Sequence, residues 1–197
     1  MPDRPTQILE AAARLIARRG VRGLRVEEVS AEAGVSTALI YYHFKDRAGL
    51  LRRTLEFIGR RAVRYTDPAL DTAPDHDPRA QLTDLLLLEL QDTPRVRENS
   101  AAWGELRATA VFDPDLREQL ATATREWAED LAHLVRRAGA AGQARAEVDA
   151  EAAAERLTAL VEGLSERWLS ESLPLGRAHE LLRGAVDVEL GRPCPER

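Results

Sequence analysis

A tight corner between two short helices constrains the fold of this chain more than any other feature. Residues 26–51 read VEEVSAEAGVSTALIYYHFKDRAGLL, and the triplet Gly34-Val35-Ser36 divides this stretch in two. Glycine readily adopts the left-handed conformation that ends a helix, and serine is a preferred N-cap residue for the helix that follows. The pattern therefore predicts helices over residues 26–33 and 37–44, joined as in a helix-turn-helix.

The second helix of this pair carries side chains that suit a binding surface. Tyr41, Tyr42 and His43 lie together there, beside Lys45, the only lysine of the chain. A DNA major groove about 12 Å wide admits one helix, and helix-turn-helix proteins place their second helix in it. We interpret this surface as a DNA reader, although Tyr41 and His43, taken singly, fit buried positions with satisfied polar tips equally well.

The predicted DNA contacts fall into two groups, because base edges carry the sequence while phosphates fix the register. The groove-facing candidates are Thr37, Ala38, Leu39, Tyr41 and Tyr42. The candidates for the DNA backbone are Arg25, Ser36, His43, Lys45 and Arg47, together with the two phenol groups. Ile40, Phe44 and Leu50 are expected to face a small core instead.

Charge is unevenly distributed along the chain. The formal net charge of −5 by itself argues against a nucleic-acid partner. Residues 1–65, however, contain 13 Lys+Arg and 7 Asp+Glu, a balance of +6, so the remainder carries −11. This asymmetry predicts an amino-terminal module that faces a polyanion. A solvated helix face is the favoured interpretation for Arg52, Arg53, Arg60, Arg61 and Arg64.

The whole chain has helical patterning and no strand pattern. Leu, Ala, Glu and Arg dominate its composition, and straight-chain residues lose little rotamer freedom in a helix. We predict an all-α fold of about nine helices, with Thr6, Asp77 and Asp149 as helix caps. Residues 66–78, rich in Pro and Asp, are predicted to be a linker. The predicted domains are 1–50, with a helix-turn-helix, and 51–191, followed by a disordered tail at 192–197.

Residues 6–51 resemble the N-terminal domain of TetR-family transcriptional regulators. The matching elements are ILEAAARLIARRG, VEEVSAEAGVS and IYYHFKDRAGLL, in the order and spacing of that family. The remainder resembles the C-terminal domain of the subgroup that includes the choline-responsive repressor of betaine synthesis, above all over AAWGELRATAVFDPDLREQLATATREWAEDLAHLVRRAGAAGQ. The resemblance implies a three-helix DNA-binding domain followed by a helical ligand-binding and dimerisation domain.

Three positions depart from the family pattern. Leu39 stands where a small or hydroxyl residue is usual, and Tyr42 stands where Arg is common. Arg25 replaces the usual Thr or Ser cap of the second helix. The first two departures concern base reading, so the operator sequence cannot be transferred from relatives.

The resemblance gives the C-terminal domain two tasks. Its tryptophans either pack a core or line a ligand cavity between helices, where aromatic faces near acids such as Glu105 or Glu166 suit a cationic ligand. The predicted pocket residues are Trp103, Arg107, Phe112, Trp127, Leu131 and Trp168. The last two helices resemble the dimerisation pair of the family, with Leu157, Val161, Leu164, Leu182 and Val186 as predicted interface residues.

These features predict a homodimeric transcriptional regulator in which a small-molecule effector releases a repressor from a palindromic operator. Dimerisation would set two recognition helices about 34 Å apart, one turn of the duplex. The alternative is a helical small-molecule binding protein or enzyme whose DNA-binding domain is vestigial. The sequence does not decide between repression and activation.

Other classes of function find little support. No Gly-rich phosphate loop, cysteine pair or nucleophile motif occurs, so we expect no catalysis and no cofactor. His76 lies between two aspartates but lacks further ligands, which favours a solvated linker over a metal site. A single cysteine, Cys194, and the absence of an apolar leader or a long apolar run predict a cytoplasmic protein without a membrane partner.

Overall fold

The computed structural model describes the backbone of residues 3–70 and 77–191, and their side chains except for residues 63–70. This part of the chain forms nine α-helices and no β-strand, so the predicted all-α fold is confirmed. None of these helices combines the length and the apolar character that crossing a membrane requires. The helices are α1 (Arg4–Arg19), α2 (Val26–Ala33), α3 (Thr37–Phe44), α4 (Arg47–Leu70), α5 (Pro78–Leu88), α6 (Pro94–Ala110), α7 (Pro114–Ala140), α8 (Ala150–Leu169) and α9 (Leu175–Leu190).

Several predicted helix caps are confirmed. The Ser36 hydroxyl accepts a hydrogen bond from the backbone N–H of Leu39 at 3.2 Å. Asp77 and Asp149 cap α5 and α8 with their carboxylates in the same way. These short polar side chains satisfy N–H groups that have no partner inside the helix, which is why their positions could be found from the sequence.

The predicted cap of α1 is wrong by one turn. The helix begins at Arg4, and the Asp3 carboxylate accepts the backbone N–H of Thr6 at 2.9 Å. A carboxylate is favoured at the positive end of the helix dipole, and Pro5 lies in the first turn, where a missing N–H costs nothing. Thr6 is therefore a residue of the helix and not its cap.

The predicted linker is also shorter than expected. The sequence placed it at residues 66–78, but α4 continues to Leu70. An interior proline removes one backbone hydrogen bond and crowds the preceding turn, and the helix ends two residues after Pro68. The rest of the predicted linker at residues 71–76, with His76, and the tail at 192–197, with Cys194, lie outside the described residues.

The chain divides into two compact units, which are not continuous in sequence. The first contains Met1–Ala62 and Thr93–Ala123, and the second contains Val63–Asp92 and Thr124–Arg197. In the first unit α1 packs against both α2 and α6. The predicted boundary after residue 50 concerns the DNA-binding function and stays a prediction. The first core includes Ile8, Ile16, Val29, Ile40, Phe44, Leu50, Leu55, Leu106 and Leu116.

One arginine of α4 was wrongly assigned to a solvated face. Arg61 is buried in the first unit, where its Nε donates to Asn99 Oδ1 at 2.8 Å and its Nη1 pairs with Glu98 at 2.8 Å. Its guanidinium also lies 5.5 Å from the ring centre of Phe57. By contrast, Arg53 is exposed and forms a salt bridge with an acid of its own helix. The periodic pattern alone could not separate these two arginines.

A buried arginine closes the second unit at the end of α9. Arg79 Nη1 donates to the carbonyl oxygens of Gln143 and Gly191, at 2.9 and 2.6 Å, and its Nη2 pairs with Asp187 at 2.7 Å. One guanidinium therefore joins the start of α5, the α7–α8 loop and the end of α9. The core of this unit includes Leu82, Leu86, Leu131, Leu157, Leu164, Trp168, Leu182 and Val186.

Candidate DNA-binding surface

The corner between α2 and α3 has the predicted geometry. Gly34 lies in the left-handed region, with φ 63° and ψ 38°, and ends α2. The backbone N–H of Val35 then donates to the Ser30 carbonyl at 3.0 Å, which adds a closing hydrogen bond to the last turn of α2. Ser36 follows directly as the N-cap residue of α3. Glycine and serine thus fix the turn within three residues.

Helix α3 has one buried face and one exposed face. Ile40 and Phe44 are 1% and 5% exposed and pack into the first core, as the sequence predicted. Tyr41 and Tyr42 are 47% and 81% exposed, and His43 is exposed as well. The alternative in which Tyr41 and His43 are core residues is therefore overturned. The tyrosines and the histidine project from the fold, where they are available to a partner.

The other predicted groove residues share this outer surface. Ala38 is exposed, while Thr37 and Leu39 are half-buried. Arg25 is exposed at the N-cap position of α2, where its side chain makes no capping hydrogen bond. The structure thus places Thr37, Ala38 and Leu39 in the first turn of α3 beside a helix amino terminus, where an anion such as phosphate is favoured.

The end of α3 is a strained turn centred on Lys45. Its φ of 66° and ψ of −56°, with a 2.8 Å hydrogen bond from Asp46 N–H to the Phe44 carbonyl, match the rare classic γ-turn. Asp46 then caps α4 by accepting the Gly49 N–H at 2.7 Å. Because Lys45 is exposed at this sharp turn, its ammonium group extends from the end of the recognition helix.

Gly49 allows this turn to be tight. A Cβ atom at this position would collide with the backbone carbonyl oxygen of Phe44. A carbonyl that ends one helix cannot move aside as a flexible side chain can. Gly49 could not be singled out from the sequence, because a glycine inside a helical pattern gives no sign of what approaches it.

Arg47 differs from the other predicted phosphate contacts because it already binds within the chain. Its Nε donates to the Leu24 carbonyl at 3.2 Å and its Nη2 donates to the Val21 carbonyl at 2.5 Å. Both acceptors lie in the loop between α1 and α2. A phosphate contact by Arg47, as predicted, would have to compete with these bonds.

The arginines of α1 are largely neutralised by acids of α2. Arg14 and Arg18 both pair with Glu32, at 3.0 and 2.9 Å, and Arg19 pairs with Glu28 at 3.0 Å. The hydrogen bonds from Arg14, and then from Arg18, hold the pKa of Glu32 below its ordinary value. These pairs tie α1 to α2 and leave the positive charge of Arg25 and Lys45 beside α3.

The predicted pocket residues belong to both units. In the first, Trp103 packs at the edge of the core with the Arg107 guanidinium 5.7 Å from its ring centre. Phe112, in the α6–α7 turn, is 81% exposed. In the second, Leu131 and Trp168 are buried core residues, and Trp127 is half-buried against the same core. Their role as a ligand pocket stays a prediction.

The predicted interface residues of α8 and α9 are covered within a single chain. Leu157, Val161, Leu164, Leu182 and Val186 are all buried in the second core. The amphipathic stripe correctly marked burial, but it could not show what covers the stripe. A dimer formed by these helices would therefore have to use their outer faces.

An all-α chain with this exposed helix-turn-helix is a DNA-binding transcriptional regulator. The chain belongs to the TetR family: residues 8–54 match the family model for bacterial regulatory proteins of the tetR family. Residues 78–191 match the model described as the C-terminal domain of BetI-type transcriptional repressors. Together these matches confirm the family and the subgroup that the sequence resembled.

Individual relatives agree with this assignment. The HTH-type transcriptional regulator TtgR of Pseudomonas putida is 30% identical, over 83% of this chain and 79% of its own. A TetR-family regulator of known structure from Rhodococcus sp. is 45% identical, covers 97% of this chain and 100% of its own, and superposes with a TM-score of 0.88. A regulator from Saccharomonospora viridis, solved in complex with choline, is 29% identical over 93% of both chains, with a TM-score of 0.77.

Proposed function

We propose that the chain is a homodimeric repressor that inserts the α3 helices of its two protomers into successive major grooves of a palindromic operator. The observation that carries this proposal is the division of α3 into a buried face, with Ile40 and Phe44, and an exposed face on which Tyr42 is 81% exposed. A twofold dimer would hold the two α3 helices about 34 Å apart, one turn of the duplex. The protein acts in the cytoplasm and performs no catalysis.

The dimer proposal is supported by a second apolar strip on α9. Leu181, Ala185 and Val188 are spaced by four and three residues, and Val188 is 72% exposed. Leu181 and Ala185 are half-buried at the edge of the core that buries Leu182 and Val186, so the strip leads from that edge outward to Val188. The same strip on a twofold mate would form an isologous contact, in which each residue meets the equivalent surface.

We propose a small organic cation as the effector. The choline complex of the Saccharomonospora relative and the match to the BetI-type repressor model support this class of ligand. Within the chain, the Arg107 guanidinium lies 5.7 Å from the centre of the Trp103 ring, so an effector cation would bind this ring face by replacing the arginine. Of the predicted pocket residues, Trp103 and Arg107 lie together in the first unit and are the ones kept in this proposal. Effector binding would favour a protomer arrangement that misfits DNA.

The DNA proposal is tested by fluorescence anisotropy with the DNA upstream of the gene for this protein. Tyr42→Ala and Thr37→Ala should each weaken specific binding by about 5- to 100-fold, because these side chains face the groove. Val111→Ala is the control, since Val111 is also exposed, at 64%, and lies outside the helix-turn-helix. Specific binding that neither α3 variant changes, or its complete absence in the unaltered protein, would contradict the proposal.

The effector proposal is tested with choline and its uncharged tert-butyl analogue. Choline should raise the melting temperature and release the DNA, whereas the analogue should do neither at the same concentration. Equal effects of the two compounds would show that positive charge is not recognised. A lack of response to choline and to other quaternary ammonium compounds would exclude this effector class, without affecting the DNA proposal.

A further inference from the structure

Side chains from two helices of the first unit form hydrogen bonds with the backbone N–H and carbonyl groups of Val21, in the loop between α1 and α2. The N–H of Val21 donates to the Glu105 carboxylate of α6 at 3.1 Å. Its carbonyl accepts from Nη2 of Arg47, the first residue of α4, at 2.5 Å. Val21 itself is buried. The loop between α1 and α2 is therefore clamped from α6 on one side and from α4 on the other.

The approach of Glu105 requires a glycine beside Val21. Gly20 ends α1 with φ 74° and ψ 168°, a conformation that is essentially restricted to glycine. A Cβ atom on Gly20 would also lie only 2.7 Å from Oε2 of Glu105. Both backbone conformation and space thus favour glycine where the carboxylate meets the loop.

Arg47 connects this loop to the recognition helix. It begins α4 directly after the γ-turn at Lys45 that ends α3. Its second bond, from Nε to the carbonyl of the buried residue Leu24, engages the other end of the loop. A guanidinium with two donors in a fixed plane holds such a pair of carbonyls in one orientation.

We propose that Glu105 and Arg47 are positioning residues for DNA binding, which set the orientation of α3 by clamping Val21 between them. Both bonds join a charged side chain to a backbone group, and such hydrogen bonds are stronger than neutral ones. Arg47, although exposed, thus acts through its bonds to the α1–α2 loop and not as a phosphate contact, and α6 takes part in DNA binding without touching DNA. The inference rests on the proposed entry of α3 into the major groove.

The first test removes the clamp from α6. Glu105→Ala should weaken specific DNA binding by about tenfold, and Glu105→Gln, which keeps an oxygen acceptor, by less. Glu118→Gln is the matched control, because it removes the same charge from an exposed position on α7 of the same unit. Removing an acid should by itself favour binding to a polyanion, so weaker binding by the Glu105 variants cannot arise from net charge.

The second test separates positioning from phosphate contact at Arg47. A phosphate contact predicts that Arg47→Lys retains most of the affinity, and that Arg47→Ala lowers the slope of log K against log salt by about one. The clamp predicts instead that both variants lose about the same affinity, while the salt slope stays near that of the unaltered protein, because lysine lacks the planar fork. Lys45→Ala, which should lower the slope, is the positive control, and Arg52→Ala controls for loss of charge on α4.

A spectroscopic signature completes the experiment. The NMR amide resonance of Val21 should move upfield and its hydrogen exchange should accelerate in Glu105→Ala, while the signals of Ile40 in the α3 core remain. Equal DNA affinity of Glu105→Ala and the unaltered protein would overturn the proposal, as would a salt slope reduced by Arg47→Ala but not by Arg47→Lys. If the unaltered protein binds no specific DNA, the proposed function fails first.

Discussion

The carboxyl-terminal ends of α3 and α9 are completed in different ways. At α9, donors from distant parts of the chain cover the carbonyls: Arg145 N–H donates to Leu190 at 2.8 Å, and Arg79 donates to Gly191 at 2.6 Å. At α3, the bonds are local, because Lys45 N–H donates to Tyr41 at 2.9 Å before the chain turns sharply. The hydrogen bonds at the end of α9 close the core of the second unit. Those at the end of α3 set the direction of this helix and leave its outer side chains exposed.

This contrast predicts which substitutions affect stability alone and which also affect DNA binding. The long-range hydrogen bonds at the end of α9 involve a buried charge, so removing them should lower stability strongly. It should not affect DNA binding by α3. Disruption of the local turn at Lys45 should lower stability less, but it should reorient the α3 surface that meets DNA. Surface ion pairs should matter least, because solvent screens them.

The largest loss of stability is expected for Arg79→Ala. The substitution leaves the carbonyls of Gln143 and Gly191 without their donor and Asp187 without its partner, and each lost hydrogen bond to a charged group costs about 1.5–3 kcal/mol. The free energy of unfolding in urea measures this effect. The control Arg177→Ala removes an exposed pair with Glu180 and should change stability by no more than about 0.5 kcal/mol. Similar losses in the free energy of unfolding for Arg79→Ala and Arg177→Ala would contradict the role of Arg79 in holding the end of α9.

The sequence located the features whose causes are local. Gly34, Ser36, Asp77 and Asp149 act on backbone groups within a few residues of themselves, so spacing alone revealed the turn and the caps. The inner face of α3 followed from the same logic, because Ile40 and Phe44 recur at helical spacing. Local chemistry therefore predicted most of the fold and the exposed face of the recognition helix.

Features that depend on distant partners escaped prediction. Asn99 lies 38 residues from Arg61, and Glu105 lies 84 residues from Val21, and no periodic pattern encodes such pairs. Arg47 illustrates the difficulty, since its charge and position fit a phosphate contact while its hydrogen bonds lie inside the chain. A pattern gives the face on which a side chain lies but not the group that it meets.

A smaller loss of stability, together with weaker DNA binding, is expected for Gly49→Ala. The added methyl group would collide with the Phe44 carbonyl, and such overpacking costs about 1–3 kcal/mol. Because Phe44 ends α3, the relief of this collision should rotate the recognition helix and lower DNA affinity. Urea unfolding and anisotropy measure the two effects.

Gly59→Ala is the matched control for Gly49→Ala. Gly59 lies in the same helix, with open space where the methyl group would be placed. Alanine is the better helix former, so this variant should gain about 0.5–1 kcal/mol and keep its DNA affinity. A Gly49→Ala protein with unaltered DNA affinity would show that the turn at Lys45 does not set the direction of α3.

The smallest effect is expected for Glu32→Gln and should depend on pH. Hydrogen bonds from Arg14, and then from Arg18, lower the folded-state pKa of Glu32 relative to the unfolded chain. Such a group stabilises the fold above its unfolded pKa, and this contribution disappears as the pH falls through its folded pKa. The variant should therefore be slightly less stable than the unaltered protein near neutral pH, and this difference should vanish as the pH falls below the folded-state pKa of Glu32.

Urea unfolding at several pH values tests this dependence, with Glu118→Gln as the control for the loss of one exposed acid. The stability difference between Glu118→Gln and the unaltered protein should not shrink in this way as the pH falls, because no ion pair of Glu118 is present in the described part of the chain. A stability difference for Glu32→Gln that widens at low pH would reverse the sign of the linkage. It would mean that Glu32 is easier to protonate in the folded chain, and that its pairs with Arg14 and Arg18 do not hold α1 against α2 in solution.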